Sequence, residues 1–458
     1  MIDFDTIEKH SKAYDLSKYL VNFQISPVYY KRLYVKGLEN IPLDGRPMII
    51  VSNHQNGLMD ALSILASLPF KLHSVFLARA DIFKKEKIAK ILRWMRIMPV
   101  FRQRDGLENL DENAAIFNKA AQLVIEGYPV CLFPEAQHQE GHFLGSIKKG
   151  FARIAFDAAE KNNFPSNMVI LPVGNHYEDY FAMHKDVLMN YGEPIALAPY
   201  YDLYRENPPL ARQHLAMDVK AKFVKLMLDI DIPAHYETID FLREAFRPEM
   251  GEKLHLDSNY FPHTLPIDQA LVSQIHTLEK DQLETTFFEL ADTYKNDLTK
   301  LKIKDRDIRC EPIVKDLVKS GMIYLLTLPI SLYGAIFSYF PLKKLKELAS
   351  KKVESMHNKM LFASFFFVLT SIVFFPILFF ICSLLVWIVG GSLITAILFW
   401  ISLSLGKIFF LEHQQWREVL CDKWRAHQFI KKNPTRYKQL QVERNVLLNA
   451  LTLAKEQK

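Results

Sequence analysis

Residues 361–406 include no charged side chain. At about 1.5 Å of rise per helical residue, such a run is roughly twice as long as the ~20 residues that one bilayer crossing requires. Backbone N–H and C=O groups find no water in hydrocarbon, so helices that satisfy their own hydrogen bonds are the expected form. The run therefore reads as a helical hairpin. Gly390 and Gly391 mark its turn, which gives arms over 361–389 and 392–411, with Pro376 placed to kink the first. A third apolar run, 320–342, is long enough to cross but contains Pro329 and ends in Phe340-Pro341.

Charge tells the same story. The net charge of +6 is pooled beside the apolar runs: six Lys against two Glu over 343–359, and ten Lys plus Arg against five acids over 412–458. Residues 1–342 are then net acidic. A nucleic-acid binder would concentrate its basic residues on the folded domain, so this placement excludes nucleic acid as a partner and favours anionic lipid headgroups. The basic link and the basic tail both belong on the cytoplasmic side, as does the domain before residue 320. For both to be cytoplasmic, 320–342 is expected to be re-entrant or to lie in the interface. Cys131, Cys310, Cys382 and Cys421 lack metal-ligand spacing, so no metal site and a reducing compartment are expected. Residues 1–12 carry Asp3, Asp5 and Glu8 and no apolar run, so no secretory signal peptide is expected there.

Ahead of the membrane part the pattern changes. Residues 47–51, 73–78, 97–101, 129–133 and 168–174 are brief apolar runs bounded by turn formers, as buried strands are. Between them lie periodic stretches such as 112–126, which sets Ile116, Ala120, Leu123 and Val124 on one face and stops at Gly127. The alternation predicts an α/β fold, a mostly parallel sheet flanked by helices, over residues 35–230. Residues 1–34 read as an N-terminal helical segment, 231–315 as a connecting helical region, 316–411 as the membrane region and 412–458 as a basic helical tail.

Four clusters could carry chemistry. Ser52-Asn53-His54-Gln55-Asn56-Gly57-Leu58-Met59-Asp60 follows the 47–51 strand, at the kind of strand end where α/β folds gather catalytic groups. An imidazole can take the proton of an alcohol if a carboxylate holds its tautomer and supports the imidazolium, and Asp60 is the nearby carboxylate. In Pro99-Val100-Phe101-Arg102-Gln103-Arg104, either guanidinium suits bidentate phosphate binding. Phe133-Pro134-Glu135-Ala136-Gln137-His138 ends another strand in a carboxylate, and Lys148-Lys149-Gly150 opens a helix whose N-terminus or Lys suits a phosphate. Ile170-Leu171-Pro172-Val173-Gly174-Asn175 reads as structural, with a Pro able to shape an acyl groove. Singly, each cluster also fits a structural reading: a satisfied His, surface Arg, an ordinary loop Glu.

Together, and in this order, the clusters resemble the phospholipid/glycerol acyltransferase family across roughly residues 30–200. The resemblance runs from Val35-Lys36-Gly37-Leu38 through Asn53-His54 to Asp60, Pro99 to Arg102, Phe133-Pro134-Glu135 and Leu171-Pro172-Val173, and closes on Gly192-Glu193-Pro194. It implies that His54 is the base on the acceptor hydroxyl, that Asp60 orients it, that Arg102 and Glu135 bind the glycerol-phosphate and that Pro172 lies near the acyl site. Asn53 is expected beside the substrate. The sequence departs from the pattern twice. Five residues rather than four separate His54 from Asp60, so the loop must bulge, as Gly57 would permit; that spacing is similar to fungal-type glycerol-3-phosphate acyltransferases. Ala136-Gln137-His138-Gln139 stands where the family has Gly-Thr-Arg-Ser, leaving His138, Arg104 and Lys148 to replace the missing Arg.

The expected activity is transfer of a fatty-acyl group from acyl-CoA or an acyl-carrier protein to 1-acylglycerol-3-phosphate or glycerol-3-phosphate, at a membrane and without a cofactor. No Ser or Cys elbow is present, so no acyl-enzyme is required. A lysophospholipid-remodelling enzyme and a catalytically silent membrane scaffold with the same fold are the alternatives. A channel or transporter is disfavoured because 361–406 offers no charged group to form a pathway.

Overall fold

The computed structural model describes residues 7–8, 11–101, 110–136, 141–278, 284–311, 314–356 and 359–453. The chain divides into two units, one of Met1–Asp229 with Val353–Phe365 and one of Ile230–Lys352 with Phe366–Lys458.

The first unit is built on an eight-stranded sheet: β1 (Arg32–Lys36), β2 (Met48–Ser52), β3 (Val75–Arg79), β4 (Ile97–Val100), β5 (Val130–Leu132), β6 (Val169–Tyr177), β7 (Asp186–Tyr191) and β8 (Ile195–Ala196). Its order is β1-β7-β6-β2-β5-β3-β4, with β8 on β6. β6, β2, β5, β3 and β4 run parallel, while β7 and β8 run against β6 and β1 follows β7. Each of the five apolar runs expected to be a strand is one, for the reason that made them legible: β2 is buried along its whole length, as a central parallel strand covered on both faces must be.

Helices α1 (Lys12–Phe23), α2 (Leu58–Ser67), α3 (Glu86–Trp94), α4 (Leu110–Ile125), α5 (Gly150–Lys161), α6 (Tyr201–Glu206) and α7 (Pro208–Leu226) flank the sheet. Ile116, Ala120, Leu123 and Val124 of α4 are buried as the periodicity requires, in one core with Phe151, Ile154 and Ala155 of α5, Val219 and Phe223 of α7, and Ile49, Val51, Val75 and Val130 of the strands. Residues 32–34, expected to close a helical segment, instead open β1. There the backbone pairs with β7 and Arg32 reaches the Asp186 carboxylate at 2.9 Å. Its apolar run is only Leu33-Tyr34-Val35, flanked by Arg32 and Lys36 and half-buried, too short to mark a strand by itself.

The second unit is helical: α8 (Tyr236–Leu254), α9 (Phe261–Leu278), α10 (Glu284–Leu301), α11 (Asp305–Arg309), α12 (Val314–Met356), α13 (Phe362–Phe367, whose first residues belong to the other unit), α14 (Phe375–Ile388), α15 (Leu393–Lys432) and α16 (Pro434–Leu453). Three stretches, Val314–Met356, Lys359–Ile388 and Leu393–Lys432, are long and apolar enough to cross a membrane. The hairpin turns where the glycines stand, with Gly390 at φ 106° and the Ser392 hydroxyl accepting from Thr395 N at 3.2 Å to cap α15. Just ahead of Pro376, residues Val368–Phe374 widen into a π-helix. That is the expected response to a ring that removes one donor and crowds the preceding turn. Residues 320–342 lie inside the unbroken α12, so the chain reversal that a re-entrant segment needs falls nowhere within them.

Within this unit α12 meets α15 at Gly334 and Gly406, so closely that a Cβ on Gly334 would sit 2.0 Å from the Gly406 carbonyl oxygen. Tyr333 and Ser402 bond at 2.6 Å nearby. Lys407, one residue past the uncharged run, is buried with its ammonium 4.1 Å from the centre of the Phe375 ring. The tail is less free than a lipid-facing basic segment would be. Arg444 is buried against Asp305 and Glu249, and Arg436 pairs with Asp297 and Glu443, so part of the tail's positive charge is neutralised inside the helical unit.

Candidate active site

β2 releases the chain at Ser52, and the next residues turn sharply into α2. Asn53 fixes the start of this loop. Its Oδ1 accepts from Asn175 N at 2.7 Å and its Nδ2 donates to Asn175 O at 3.3 Å, while Asn175 Nδ2 donates back to Asn53 O at 3.3 Å. Asn53 is fully buried, and these bonds clamp the loop to β6.

His54 and Asp60 meet. Nδ1 of His54 stands 2.9 Å from Oδ2 of Asp60, with the imidazole slightly exposed and the carboxylate fully buried. The extra loop residue is absorbed by a tight turn, Met59 N donating to Asn56 O at 3.0 Å, with Gly57 at φ 56°, ψ −128°. Those angles belong to the first central position of a type II′ turn, which only glycine occupies without strain. Met360, Leu361 and Ser364 cover this turn, where Ser364 Oγ accepts from Leu58 N at 2.9 Å and so satisfies an N–H that opens α2.

Four donors converge on the Asp60 carboxylate. Oδ2 accepts from Gln55 N at 2.9 Å and Asn56 N at 2.8 Å as well as from His54, and Oδ1 accepts from the Tyr177 hydroxyl at 2.6 Å. Burial, reinforced by the Asp60 charge, pushes the Tyr177 phenol well above its ordinary pKa, so it stays a donor. Held this way, the carboxylate fixes Nδ1 as the protonated nitrogen, which leaves the basic lone pair on Nε2. The imidazole stacks on Phe133 at 4.2 Å, ring to ring, which fixes its plane.

Glu135, at the end of β5, is also buried. Its Oε1 accepts from His54 N at 2.7 Å and its Oε2 from Gly145 N at 2.8 Å. In the structure this carboxylate braces the histidine backbone from behind, whereas the resemblance implied that it binds acceptor. Lys148 N donates to Pro134 O at 2.8 Å, and its exposed ammonium reaches Ser146 Oγ at 3.2 Å. Pro172 is buried in β6 beside Val51, with Gly192 N donating to its carbonyl at 2.9 Å. Arg102, Arg104 and His138 lie outside the described residues.

Beyond the expected residues, the structure adds Tyr177, Asn175 and a polar chain in which Tyr180 Oη donates to Gln55 Oε1 at 2.9 Å and lies 2.9 Å from His142 Nδ1. Asn175, the last residue of the fourth cluster, and Tyr177 stand two apart on one face of β6; that alternation is the signal that could have found them. Among the described residues, no group of three or more His, Cys, Asp and Glu is placed to hold a metal ion.

Residues 32–175 match the family model described as Acyltransferase. The chain is 28% identical over 184 residues to the 1-acyl-sn-glycerol-3-phosphate acyltransferase BAT2, chloroplastic, of Brassica napus, which covers 38% of this chain and 49% of that protein. It is also 28% identical over 159 residues to the 1-acyl-sn-glycerol-3-phosphate acyltransferase LPAT1, chloroplastic, of Arabidopsis thaliana, covering 34% and 39%. The chain thus spans half or less of the length of these curated relatives. Among solved structures it aligns with the 1-acyl-sn-glycerophosphate acyltransferase PlsC of Thermotoga maritima at 19% identity and a TM-score of 0.33, covering 49% of this chain and 86% of that one.

Proposed function

We propose, from the premise that residues 32–175 are an acyltransferase domain of the phospholipid/glycerol acyltransferase family, that this protein acylates the hydroxyl of 1-acylglycerol-3-phosphate or glycerol-3-phosphate at a membrane. The observation that carries the reading is the buried Asp60 carboxylate, which collects four donors and meets His54 Nδ1 at 2.9 Å.

In this mechanism Nε2 of His54 takes the proton of the acceptor hydroxyl as its oxygen attacks the carbonyl carbon of an acyl thioester. The tetrahedral intermediate collapses by breaking the C–S bond, and the imidazolium returns its proton to the departing thiolate. The products are an ester and a free thiol, with the histidine neutral again. Asp60 supports the imidazolium formed between the two transfers, and the Phe133 ring limits the water that reaches it. No acyl-enzyme and no cofactor enter. The hairpin over 361–411 anchors the chain, with the acyltransferase domain on the cytoplasmic face. A lipid product leaves the bilayer only at a cost of about 0.8 kcal/mol per buried methylene, so synthesis at the membrane surface avoids that step.

The test is transfer of a labelled acyl chain by the full-length protein in membranes, each acceptor offered in turn. His54→Ala should lose about 10²-fold or more of the rate, the usual contribution of a positioned general base. Transfer that survives in that variant refutes the mechanism, and a wild-type chain inactive on every acceptor points to the silent scaffold.

A further inference from the structure

A cavity of about 320 Å³ opens among three helices of the first unit, lined by Phe117 of α4, Lys149 and Arg153 at the start of α5, Gly150, and Pro209 and Arg212 at the start of α7. Nothing in the mechanism uses it. α5 begins after the loop that leaves β5, so its start lies on the sheet edge where β2 releases His54. Short bonds tie the two places together: Lys148 N donates to Pro134 O at 2.8 Å, and Glu135, the next residue, accepts from His54 N at 2.7 Å.

The cations here are held differently from those elsewhere on the unit's surface. Arg46, Arg79 and Arg205 each grip a carboxylate within two or three residues of themselves. Arg153 lies over the Phe117 ring at 5.4 Å, and its nearest acid, Asp157, is 3.7 Å away, beyond hydrogen-bond reach. Arg212 lies over Tyr204 at 5.6 Å, with a buried Nε that has no hydrogen-bond partner. Lys149 Nζ makes one long contact, 3.4 Å to Gln213 Oε1. Three cations facing one carboxylate leave the cavity positive, and two guanidinium forks with spare donors suit phosphate esters. Phe117 and Pro209 add an apolar wall that a flat ring can cover.

We propose that this cavity binds the phosphorylated adenosine end of the acyl donor, so that the donor is acyl-CoA, with phosphates on Arg153, Arg212 and Lys149 and the base against Phe117. This deepens the acyltransferase reading and rests on it. Acyl-CoA joins several phosphates to an aromatic base by a flexible arm that carries the thioester onward to His54. A glycerol-phosphate acceptor has no ring for the apolar wall, and an acyl-carrier protein offers a single phosphodiester to three cations.

The experiment uses the full-length chain and the variants Arg153→Gln and Arg212→Gln, whose side chains are not part of the core. With acyl-CoA as donor, KM for the donor should rise about ten-fold or more, the loss of one charge-assisted hydrogen bond, while kcat and the KM of the acceptor stay within about two-fold. With acyl-pantetheine, which lacks the nucleotide, wild type and variants should be equal. Equilibrium binding of 3′,5′-ADP to a His54→Ala chain should be saturable and weakened by both variants, a readout independent of catalysis. An unchanged donor KM, a rise in acceptor KM instead, equal impairment with acyl-pantetheine, or no binding of 3′,5′-ADP would overturn the assignment. If no acyl transfer is found with any acceptor, the proposed function fails, and the 3′,5′-ADP measurement still decides the cavity.

Discussion

Gly57→Ala tests the device that lets the long loop work. A Cβ at φ 56°, ψ −128° is strained whatever surrounds it, at a cost of about 1–3 kcal/mol. It would also stand 2.8 Å from Ser364 Oγ and 3.1 Å from Leu361 Cδ2. If Ser364 gives way, Leu58 N loses its 2.9 Å acceptor, a further ~0.5–1.5 kcal/mol. The sum, ~1.5–4.5 kcal/mol, is a large part of the ~5–15 kcal/mol that holds a typical domain. If the turn instead relaxes by rotating the Gly57–Leu58 peptide, the start of α2 shifts and Asp60 shifts with it. A displacement near 1 Å at a catalytic pair costs about 10²-fold in rate. The assay is a double-mutant cycle with Ser364→Gly, read by denaturant unfolding of the solubilised chain and by acyl transfer. Ser364→Gly alone should cost ~0.5–1.5 kcal/mol, and the double variant should cost less than the sum, because the Leu58 bond can be lost only once. Wild-type stability and activity in Gly57→Ala, or full recovery in the double variant, would show that the backbone angle at 57 carries no load.

Tyr177→Phe removes the 2.6 Å bond to Asp60 Oδ1; at ~1.5–3 kcal/mol for a hydrogen bond to a charged group, kcat should fall about ten- to hundred-fold with substrate KM little changed, and an unchanged kcat would exclude a positioning role. Glu135→Gln replaces one of two carboxylate acceptors with a donor, which then faces a backbone N–H at His54 or Gly145. Unfolding free energy should drop by ~1–3 kcal/mol together with kcat; a rise in acceptor KM at unchanged stability would mean that Glu135 touches substrate after all.

Local chemistry already wrote much of this protein into its sequence. The uncharged run over 361–406 is about twice the length of a crossing helix and reads as two apolar arms, and Gly390 with Gly391 marks the turn between them. The buried strands and the α4 face follow from periods of two and 3.6, which need no knowledge of the rest of the chain. The order of the clusters around His54, Glu135 and Pro172 was likewise readable. What tertiary structure decided is which polar atoms meet. Tyr177 lies 117 residues from Asp60 and Asn175 lies 122 from Asn53, and each pair forms because β2 and β6 align with Ser52 opposite Val173. A slip of one residue would turn Tyr177 to the other face of the sheet. In the same way Asn53 and Glu135, read as substrate groups, are drawn into bracing the loop, and Phe117, Arg153 and Arg212 gather at one cavity from three helices. Burial is a property of a residue and its near neighbours, so it can be read along the chain. Hydrogen bonds are directional and short, and their partners exist only once register and helix packing have brought distant backbone within about 3 Å.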